Sequence, residues 1–335
     1  MYLYTCIVYN LSVKSIIETL SKSPEQFDVL ALKVFQYQYK YNAVYQAYCQ
    51  ALHINANDIQ HPNDIPFLPI QFFKTKDIVT FNETPEITFT SSGTGGIQSR
   101  HLIQSVSDYE TSFMAAWHYF FGPTDDYEFL ALLPAYSERT GSSLIYMVDA
   151  LMTASKQPNK RYYLDHYKDL HLHYQDALAR GKKVVLFGVT FALLELCDSA
   201  FTFPEALIFE TGGMKGRGKE LIRDELHLKL NEGLKCSNIY SEYGMTELLT
   251  QAYATDGKNF SCPPWMKIVL RQSDDPFDYN NHKTSGGINV IDLANLHSCA
   301  FIETQDLGKR EGNHFQVLGR FDQSDLRGCN LMVSE

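Results

Sequence analysis

The sequence predicts an α/β protein, with a large N-terminal region built on a mostly parallel sheet and a small β-rich C-terminal subdomain. Two patterns carry this prediction. Up to about residue 250, short apolar runs alternate with helical stretches, an order typical of the strands and helices of a parallel sheet. Beyond Gln251, short strand candidates dominate. We therefore place a domain boundary between residues 1–250 and 251–335.

The first helical signal lies near the N-terminus. Segment Ser23–Gln26 has the pattern of a capping box with proline at the first helical position. Apolar residues follow from Phe27 at helical spacing, which predicts a helix that reaches about Gln50. Prolines within Ile65–Ile70 exclude a regular helix, so we expect an extended, partly buried connector there.

Strand and helix candidates then follow in order along the chain. The strand candidates of the first region are Ile87–Thr90, Phe129–Leu133, Lys183–Phe187, Ala206–Phe209 and Asn238–Tyr240. The helical stretches between them are Ser107–Phe121, Ser142–Ala154, Asp169–Arg180 and Gly218–Glu232. The strand candidates of the second region are Met266–Leu270, Gly287–Ile291, Ala300–Glu303, Phe315–Leu318 and Leu331–Val333.

The charge of the chain argues against nucleic acid as a partner. Its 29 Lys and Arg residues and 39 Asp and Glu residues give a net charge of −10, which repels phosphate backbones at long range. No apolar run reaches the roughly 18–20 residues that span a bilayer, so we expect no membrane span. The seven cysteines are scattered without a Cys-x-x-Cys pair, which favours free thiols in a reducing, cytoplasmic compartment.

A loop rich in glycine and hydroxyl residues directly follows the strand candidate Ile87–Thr90. Its glycines allow the backbone to approach an anion closely, and its hydroxyls add hydrogen-bond donors, as in loops that hold phosphates. It lacks the Gly-Lys-Ser/Thr ending of a Walker loop, and a plain surface turn is the alternative. The candidate phosphate ligands are Ser91, Ser92, Gly93, Thr94, Gly95 and Gly96.

Two further segments carry candidate functional residues. At the end of an apolar strand, residues 243–247 read Tyr-Gly-Met-Thr-Glu. There Thr246 is placed to contact a phosphate oxygen and Glu247 to hold a hard cation such as Mg²⁺, with capping of a following helix as the alternative. Asp306, after a later strand, is a candidate ligand for a ribose diol, although aspartate is also a common turn residue.

Taken together and in this order, the segments resemble the motifs of the adenylate-forming superfamily, which includes acyl-CoA synthetases, peptide-synthetase adenylation domains and luciferases. The first loop resembles the superfamily's phosphate loop, and residues 243–247 match its Tyr-Gly-x-Thr-Glu motif. Asp306 falls where the superfamily has its ribose-binding aspartate, and residues 319–322 resemble its Gly-Arg-x-Asp hinge motif. The resemblance spans residues 88–322, about 70% of the chain.

Three more segments resemble one particular family within this superfamily. Segments Glu210–Met214, Ser324–Cys329 and Ile65–Lys74 look like those of the acyl-protein synthetases of the bacterial bioluminescence fatty-acid reductase. Phenylacetate-CoA ligases are also similar. Acyl-protein synthetases use ATP to form a fatty acyl-adenylate, take the acyl group onto a cysteine near their C-terminus and pass it to a reductase subunit. The resemblance implies that Cys329 is the corresponding nucleophile.

The resemblance also implies the substrates, the cofactors and the residues that bind them. The enzyme would use ATP and Mg²⁺ to activate a carboxylic, fatty acid, and would transfer the acyl group to a thiol. The acceptor would be Cys329 and then a partner such as a reductase or a carrier protein. Residues implied to bind the nucleotide, besides the phosphate loop, are Gly212, Gly213, Tyr243, Gly244, Thr246, Asp306 and Arg320.

The sequence departs from the family pattern in two ways. The tail of the phosphate loop carries no Lys, and Arg100 is the candidate that replaces its charge in catalysis. The Lys-bearing C-terminal domain of larger relatives is also absent, which the acyl-protein synthetases share. The alternatives are an acyl-adenylate-forming ligase whose acceptor is CoA or a carrier protein, a non-catalytic nucleotide-binding subunit of an acyltransferase complex, and a relative that has kept the fold alone.

Overall fold

The computed structural model describes residues 11–92, 96–134, 140–158, 160, 162–212, 221–273, 275, 277–279 and 284–321. The α-helices in these ranges are α1 Val13–Lys22, α2 Phe27–Tyr41, α3 Ala43–Ala51, α4 Phe72–Thr75, α5 Val106–Phe121, α6 Ser143–Ala154, α7 Tyr167–Ala179, α8 Thr190–Cys197 and α9 Arg223–Leu234. The strands are β1 Leu68–Pro69, β2 Ile87–Thr90, β3 Arg100–Ile103, β4 Tyr127–Leu132, β5 Lys183–Val189, β6 Leu207–Thr211, β7 Asn238–Tyr243, β8 Ala252–Ala254, β9 Met266–Arg271, β10 Ser285–Asp292, β11 Phe301–Glu311 and β12 His314–Arg320. The strand candidate Leu331–Val333 lies outside the described residues.

The first sheet has the order β4-β5-β6-β7-β8, and its first four strands are parallel. Strand β8 pairs antiparallel with β7, so residues just beyond position 250 complete this sheet. Every residue of β4 is buried, as expected for a parallel strand covered on both faces. The predicted α/β class with a mostly parallel sheet is confirmed.

The second sheet confirms the predicted β-rich C-terminal subdomain. Its order is β1-β11-β10-β9, with β12 also paired to β11. All of these pairs are antiparallel except β1 with β11, where Leu68 lies opposite Ile302. The predicted extended connector therefore forms an edge strand of this sheet, and Ile65 and Leu68 within it are fully buried.

The N-terminal helices differ from the prediction. The Ser23 side chain makes no capping hydrogen bond, and a 3₁₀ turn over Pro24–Gln26 leads into α2. The capping box instead lies at Ser12, before α1, which the sequence pattern did not reveal. The single helix expected to reach Gln50 is interrupted at Asn42. The Asn42 side chain accepts a hydrogen bond from the Tyr45 N–H and donates to the Ser298 carbonyl oxygen, so a distant contact fixes the break.

Strands β2 and β3 form a separate antiparallel hairpin in which Thr90 lies opposite Arg100. The loop that they enclose is the predicted phosphate loop. Helix α5 follows and packs its aromatic side chains toward the parallel sheet, where the Trp117 ring centroid lies 5.5 Å from that of Phe209. Within the described ranges, no helix combines the length and the apolar character that a bilayer crossing needs.

Candidate active site

An open cavity of about 610 Å³ lies at the carboxyl ends of the parallel strands, where α/β proteins bind their ligands. Residues at or just after the ends of β4, β5, β6 and β7 line it together with the hairpin and with helices α6 and α8. The lining residues that end or follow those strands are Leu133, Pro134, Val189, Thr211, Gly212, Gly244, Met245 and Thr246.

The described part of the phosphate loop borders this cavity. Thr90 and Ser92 line it. The base of the loop is closed by Ser91 and Ser99, because the Ser91 N–H donates to the Ser99 carbonyl oxygen at 3.1 Å and the Ser99 N–H donates to Ser91 Oγ at 3.0 Å. Gly96 is exposed. The predicted ligands Gly93, Thr94 and Gly95 lie outside the described residues.

Three predicted residues from two other segments meet at the same cavity. Gly212, Gly244 and Thr246 all line it. Gly212 has φ 66°, a left-handed conformation that favours glycine. A Cβ at Gly244 would lie 2.2 Å from Oε1 of Glu242, so a larger residue there would require that carboxylate to move. The predicted Gly213 lies outside the described residues.

Buried polar side chains hold the backbone of Thr246 and Glu247. Nδ1 of His101 lies 2.8 Å from the Thr246 carbonyl oxygen, and its Nε2 lies 3.2 Å from Oδ1 of Asn295. The Asn295 amide donates to the Glu247 carbonyl oxygen at 2.8 Å. Burial lowers the pKa of His101 to about 4, so the imidazole is neutral at physiological pH. Sequence reasoning missed His101 and Asn295 because neither belongs to a recognisable motif.

The structure brings three predicted nucleotide-binding residues together beside the second sheet. The Tyr243 hydroxyl donates to Oδ2 of Asp306 at 2.9 Å, and Nε of Arg320 lies 3.3 Å from Oδ1. Asp306 and Arg320 lie opposite each other on β11 and β12. Burial raises the pKa of Asp306, while Arg320 and the Tyr243 hydrogen bond counteract this rise. The Arg320 side chain is 71% exposed, so this group has one open side.

Glu247 is buried close to the same group. Burial raises its pKa, and a hydrogen bond from Ser99 and the charge of Arg320 lower it. The described residues hold no group of three or more His, Cys, Asp or Glu side chains that would bind a metal by themselves. Glu247 is the carboxylate that the sequence predicts as a Mg²⁺ ligand.

Of the described residues that the sequence predicts to be catalytic, Thr246 lines the cavity, whereas Arg100 and Glu247 do not. Arg100 forms an ion pair with Asp77 at 2.7 Å, and both side chains are about half exposed. It is not among the lining residues. Cys329 lies outside the described residues.

Residues 17–335 match the protein family described as acyl-protein synthetase, LuxE. The chain belongs to this family. The predicted relationship to acyl-protein synthetases is therefore confirmed, and with it the enzyme class, an ATP-dependent acyl ligase.

Among curated relatives, the chain is 24% identical over 339 residues to a long-chain-fatty-acid–luciferin-component ligase of Vibrio harveyi, an alignment that covers 90% of this chain and 85% of that protein. A 72-residue stretch is 42% identical to the ligase of the same name from Photorhabdus luminescens, covering 21% of this chain and 61% of that protein.

Solved structures agree with the family assignment at the level of the fold. A 2-hydroxyisobutyryl-CoA ligase in its postadenylation state has a TM-score of 0.64 at 11% identity, covering 90% of this chain and 68% of that one. The ATP-bound RpMatB-BxBclM chimera B3 has a TM-score of 0.52 at 19% identity, covering 71% and 49%. This acyl-protein synthetase thus spans about half to two thirds of their lengths and shares the fold of adenylate-forming enzymes.

Proposed function

We propose that this acyl-protein synthetase activates a fatty acid as its acyl-adenylate in the described cavity and transfers the acyl group to the thiol of Cys329. The observation that carries the proposal is the convergence of separate motifs. Thr90, Ser92, Gly212 and Thr246 come from three segments far apart in sequence and line one cavity. Tyr243 begins the motif segment that contains Thr246, and its hydroxyl connects that segment to Asp306, which also contacts Arg320.

The first step joins the acid to AMP. An oxygen of the acid's carboxylate bonds to the α-phosphorus of ATP, the bond from that phosphorus to the pyrophosphate oxygen breaks, and pyrophosphate leaves. The chain's part is to hold the reactants in line and to stabilise the developing charge. In our proposal Ser91–Gly96 bind the β- and γ-phosphates, Thr246 contacts the reacting phosphate and Asp306 binds the ribose. To bind the phosphates, Arg100 would have to break its ion pair with Asp77.

Mg²⁺ would neutralise phosphate charge in this step, with Glu247 as its protein ligand. Gly212 and Gly213 would flank the adenine, and Gly244 would leave space beside it. The Tyr243 ring, predicted to flank the adenine, packs against Phe260 and Phe315 instead, so Tyr243 would act on the nucleotide through Asp306. Arg320 would support the ribose through Asp306.

The second step moves the acyl group to sulfur. The Cys329 thiolate attacks the acyl carbonyl carbon, the bond from that carbon to the phosphate oxygen breaks, and AMP leaves with that oxygen. The Phe321 N–H donates to the Gln305 carbonyl oxygen at 2.7 Å, so the chain is fixed beside Asp306 at that point. Cys329 follows eight residues later, a stretch that spans at most about 29 Å when extended. That length would allow the Cys329 thiol to reach the nucleotide site.

A protein partner would accept the acyl group from Cys329. A reductase is the acceptor expected from the resemblance, and a carrier-protein thiol is the other. The described cysteines, Cys49, Cys197, Cys236, Cys262 and Cys299, are all free thiols, which supports a reducing, cytoplasmic setting in which the thiol of Cys329 stays available.

Intact-protein mass spectrometry tests the proposal. The wild-type protein is incubated with ATP, Mg²⁺ and fatty acids of graded chain length, beside Cys329→Ser and the control Cys197→Ser, which removes another partly exposed thiol. We expect an ATP-dependent acyl adduct that hydroxylamine cleaves, on the wild type and on Cys197→Ser only. Free acyl-AMP without an adduct would move the acceptor from Cys329 to another molecule. Neither product with any acid would contradict the proposed activity.

A further inference from the structure

Asp306 lies in a bulge of strand β11. In the register between β10 and β11, residues 304–306 lie opposite the single residue Ile288. A bulge interrupts the ladder of hydrogen bonds between strands and redirects the side chains within it. Here the Thr304 hydroxyl replaces part of the ladder, because it donates to the Ile288 carbonyl oxygen at 2.7 Å and accepts from the Asp306 N–H at 3.1 Å. The direction of the Asp306 side chain therefore depends on how this bulge is held.

The side chain of Arg271, from β9, reaches across β10 into this bulge. Its Nη1 donates to the Ile288 carbonyl oxygen at 3.0 Å and to Oδ1 of Asn289 at 2.8 Å. Its Nη2 donates to the Thr304 carbonyl oxygen at 2.7 Å. Arg271 is only 5% exposed, so these bonds form away from water. They join β10 to β11 at the point where the ladder between the two strands is interrupted.

Two further contacts enclose the guanidinium of Arg271. A Cβ at Gly287 would lie 2.5 Å from Cζ of Arg271, so the guanidinium lies directly against this glycine. The centroid of the Phe321 ring lies 5.3 Å from the same Cζ, within the range of a cation–π contact. The Phe321 N–H also donates to the carbonyl oxygen of Gln305, inside the bulge. A planar guanidinium with several fixed donors suits this place, whereas a lysine ammonium would make fewer of these contacts.

The charge of Arg271 acts on the same carboxylate as its hydrogen bonds do. Burial raises the pKa of Asp306, and Arg320, the Tyr243 hydrogen bond and Arg271 counteract this rise. Arg271 also forms an ion pair with Glu303 at 3.6 Å. The Arg320 side chain is largely exposed, but Arg271 is buried and bonded at both ends of its guanidinium. Arg271 therefore supplies Asp306 with a positive charge at a fixed position.

We propose that Arg271 is a positioning residue for ribose recognition, holding the bulge of β11 so that the Asp306 carboxylate faces the ribose hydroxyls of ATP. This inference rests on the proposed function, because there Asp306 binds the ribose. Arg271 acts through Asp306 and does not touch the nucleotide. Without its bonds the bulge relaxes and the carboxylate loses its alignment with the hydroxyls, while the contacts to the phosphates and the adenine remain. A merely structural role would affect every nucleotide equally.

A comparison of ATP with 2′,3′-dideoxy-ATP, which lacks both ribose hydroxyls, tests this inference. Exchange of pyrophosphate into each nucleotide is measured with the fatty acid that gives the fastest exchange with ATP. For the wild type we expect kcat/KM for ATP to exceed that for the dideoxy nucleotide by about tenfold or more, as for hydrogen bonds to a charged group. Arg271→Lys should reduce this preference about threefold or more by lowering the value for ATP. Gly287→Ala, whose Cβ displaces the guanidinium, should do the same.

Two further variants complete the design. Arg310→Lys is the matched control and should keep the preference, because Arg310 lies on the same strand but binds the Ile268 carbonyl oxygen, outside the bulge. Asp306→Asn should remove the preference, and adding Arg271→Lys to it should not change the ratio further, since both act on the same contact.

The outcomes separate the inference from the function on which it rests. Equal losses for both nucleotides in Arg271→Lys and Gly287→Ala, with the preference retained, would overturn the inference and leave the proposed function intact. A wild type without any preference would overturn the inference together with the ribose role of Asp306, while adenylation itself would stand. Absence of exchange with ATP and every acid would overturn the proposed function. Gly287→Ala retains Arg271, so it decides the question if Arg271→Lys does not fold.

Discussion

At the scale of single residues, the hydroxyl of Tyr243 joins the motif segment to the second sheet. It donates to Asp306, and the Tyr243 ring packs against Phe260 and Phe315 at centroid distances of 5.9 and 5.4 Å. Under our proposal Asp306 binds the ribose of ATP, so Tyr243 acts as a positioning residue for that carboxylate. Its ring is buried in this aromatic group and is not part of the cavity lining.

Tyr243→Phe should weaken ATP binding more than acid binding. It removes a hydrogen bond to a carboxylate, a loss of about 1.5–3 kcal/mol, and leaves Asp306 free to turn toward Arg320. We expect KM for ATP to rise about tenfold or more in steady-state kinetics, with a smaller change in KM for the acid. Tyr253→Phe is the control, because the Tyr253 hydroxyl is buried without a hydrogen-bond partner in the described residues. Equal effects of the two substitutions would contradict the role of Tyr243.

The raised pKa of Glu242 predicts a pH dependence of stability. Burial raises this pKa to about 7 in the folded protein, against an ordinary value of 4.5, so folding favours the protonated form. Its contribution to the free energy of unfolding is fully present below about pH 4.5 and is lost as the pH rises through 7. Urea unfolding at pH 5 and pH 8 should therefore show a smaller loss of stability for Glu242→Gln than for the wild type. Parallel pH dependences would mean that Glu242 titrates normally.

At the scale of elements, side chains at and just after the end of β10 in the second sheet bind the chain between β7 and β8 of the first sheet. Asp292, at the end of β10, accepts hydrogen bonds from the Leu249 N–H at 2.9 Å, the Thr250 N–H at 3.0 Å and the Thr250 hydroxyl at 2.6 Å. Asn295 follows it in the chain and binds the Glu247 carbonyl oxygen. The motif segment and the residues just after it are thus fixed by side chains some 40 residues away.

Asn295→Ala should disturb both stability and catalysis. It leaves the buried Glu247 carbonyl oxygen without its hydrogen-bond donor, and an unsatisfied buried group costs about 1–3 kcal/mol. We expect the free energy of unfolding to fall by about that amount in urea titrations, with a lower kcat at saturating substrates. Asn63→Ala, at an exposed asparagine, is the control. A full kcat in Asn295→Ala would show that the position of Glu247 does not depend on this bond.

The sequence predicted the elements with strong periodicity and the residues within motifs. The strand candidate Ile87–Thr90 agrees with β2, and Tyr243, Asp306 and Arg320, which the sequence predicts to bind the nucleotide, lie together. Elements fixed by distant contacts were missed: the break at Asn42 depends on Ser298, and β1 depends on β11. The hydrogen bond from Arg271 to Thr304 was missed for the same reason, since nothing in the local sequence marks these two residues as neighbours.

At the scale of the whole molecule, the two predicted regions are interleaved. Residues 68–69 pair with β11 of the second sheet. Gln38 of α2 donates to the carbonyl oxygens of Asn295 and Leu296, and its own Oε1 accepts from the Ala300 N–H. The boundary at 250/251 remains a prediction about domain organisation, while the site as described draws residues from both sides of it.

These contacts predict that the two regions unfold together. The chain has two tryptophans, Trp117 in the first region and Trp265 in the second, and both are buried. In Trp117→Phe and Trp265→Phe, the remaining tryptophan reports on one region by fluorescence. We expect the midpoint of denaturant unfolding in each variant to coincide with that from circular dichroism of the same variant. Midpoints that differ between the probes would indicate two independent domains.

The central claim is that the cavity around Thr246 adenylates a carboxylic acid, and acid-dependent ATP–pyrophosphate exchange measures that step directly. The account predicts exchange that requires an acid and Mg²⁺, persists in Cys329→Ser because the thiol acts later, and falls about 10²–10³-fold in Thr246→Ala, as when a hydrogen-bond donor to a transition state is removed. Exchange that is absent with every acid, or that is unchanged in Thr246→Ala, would contradict it.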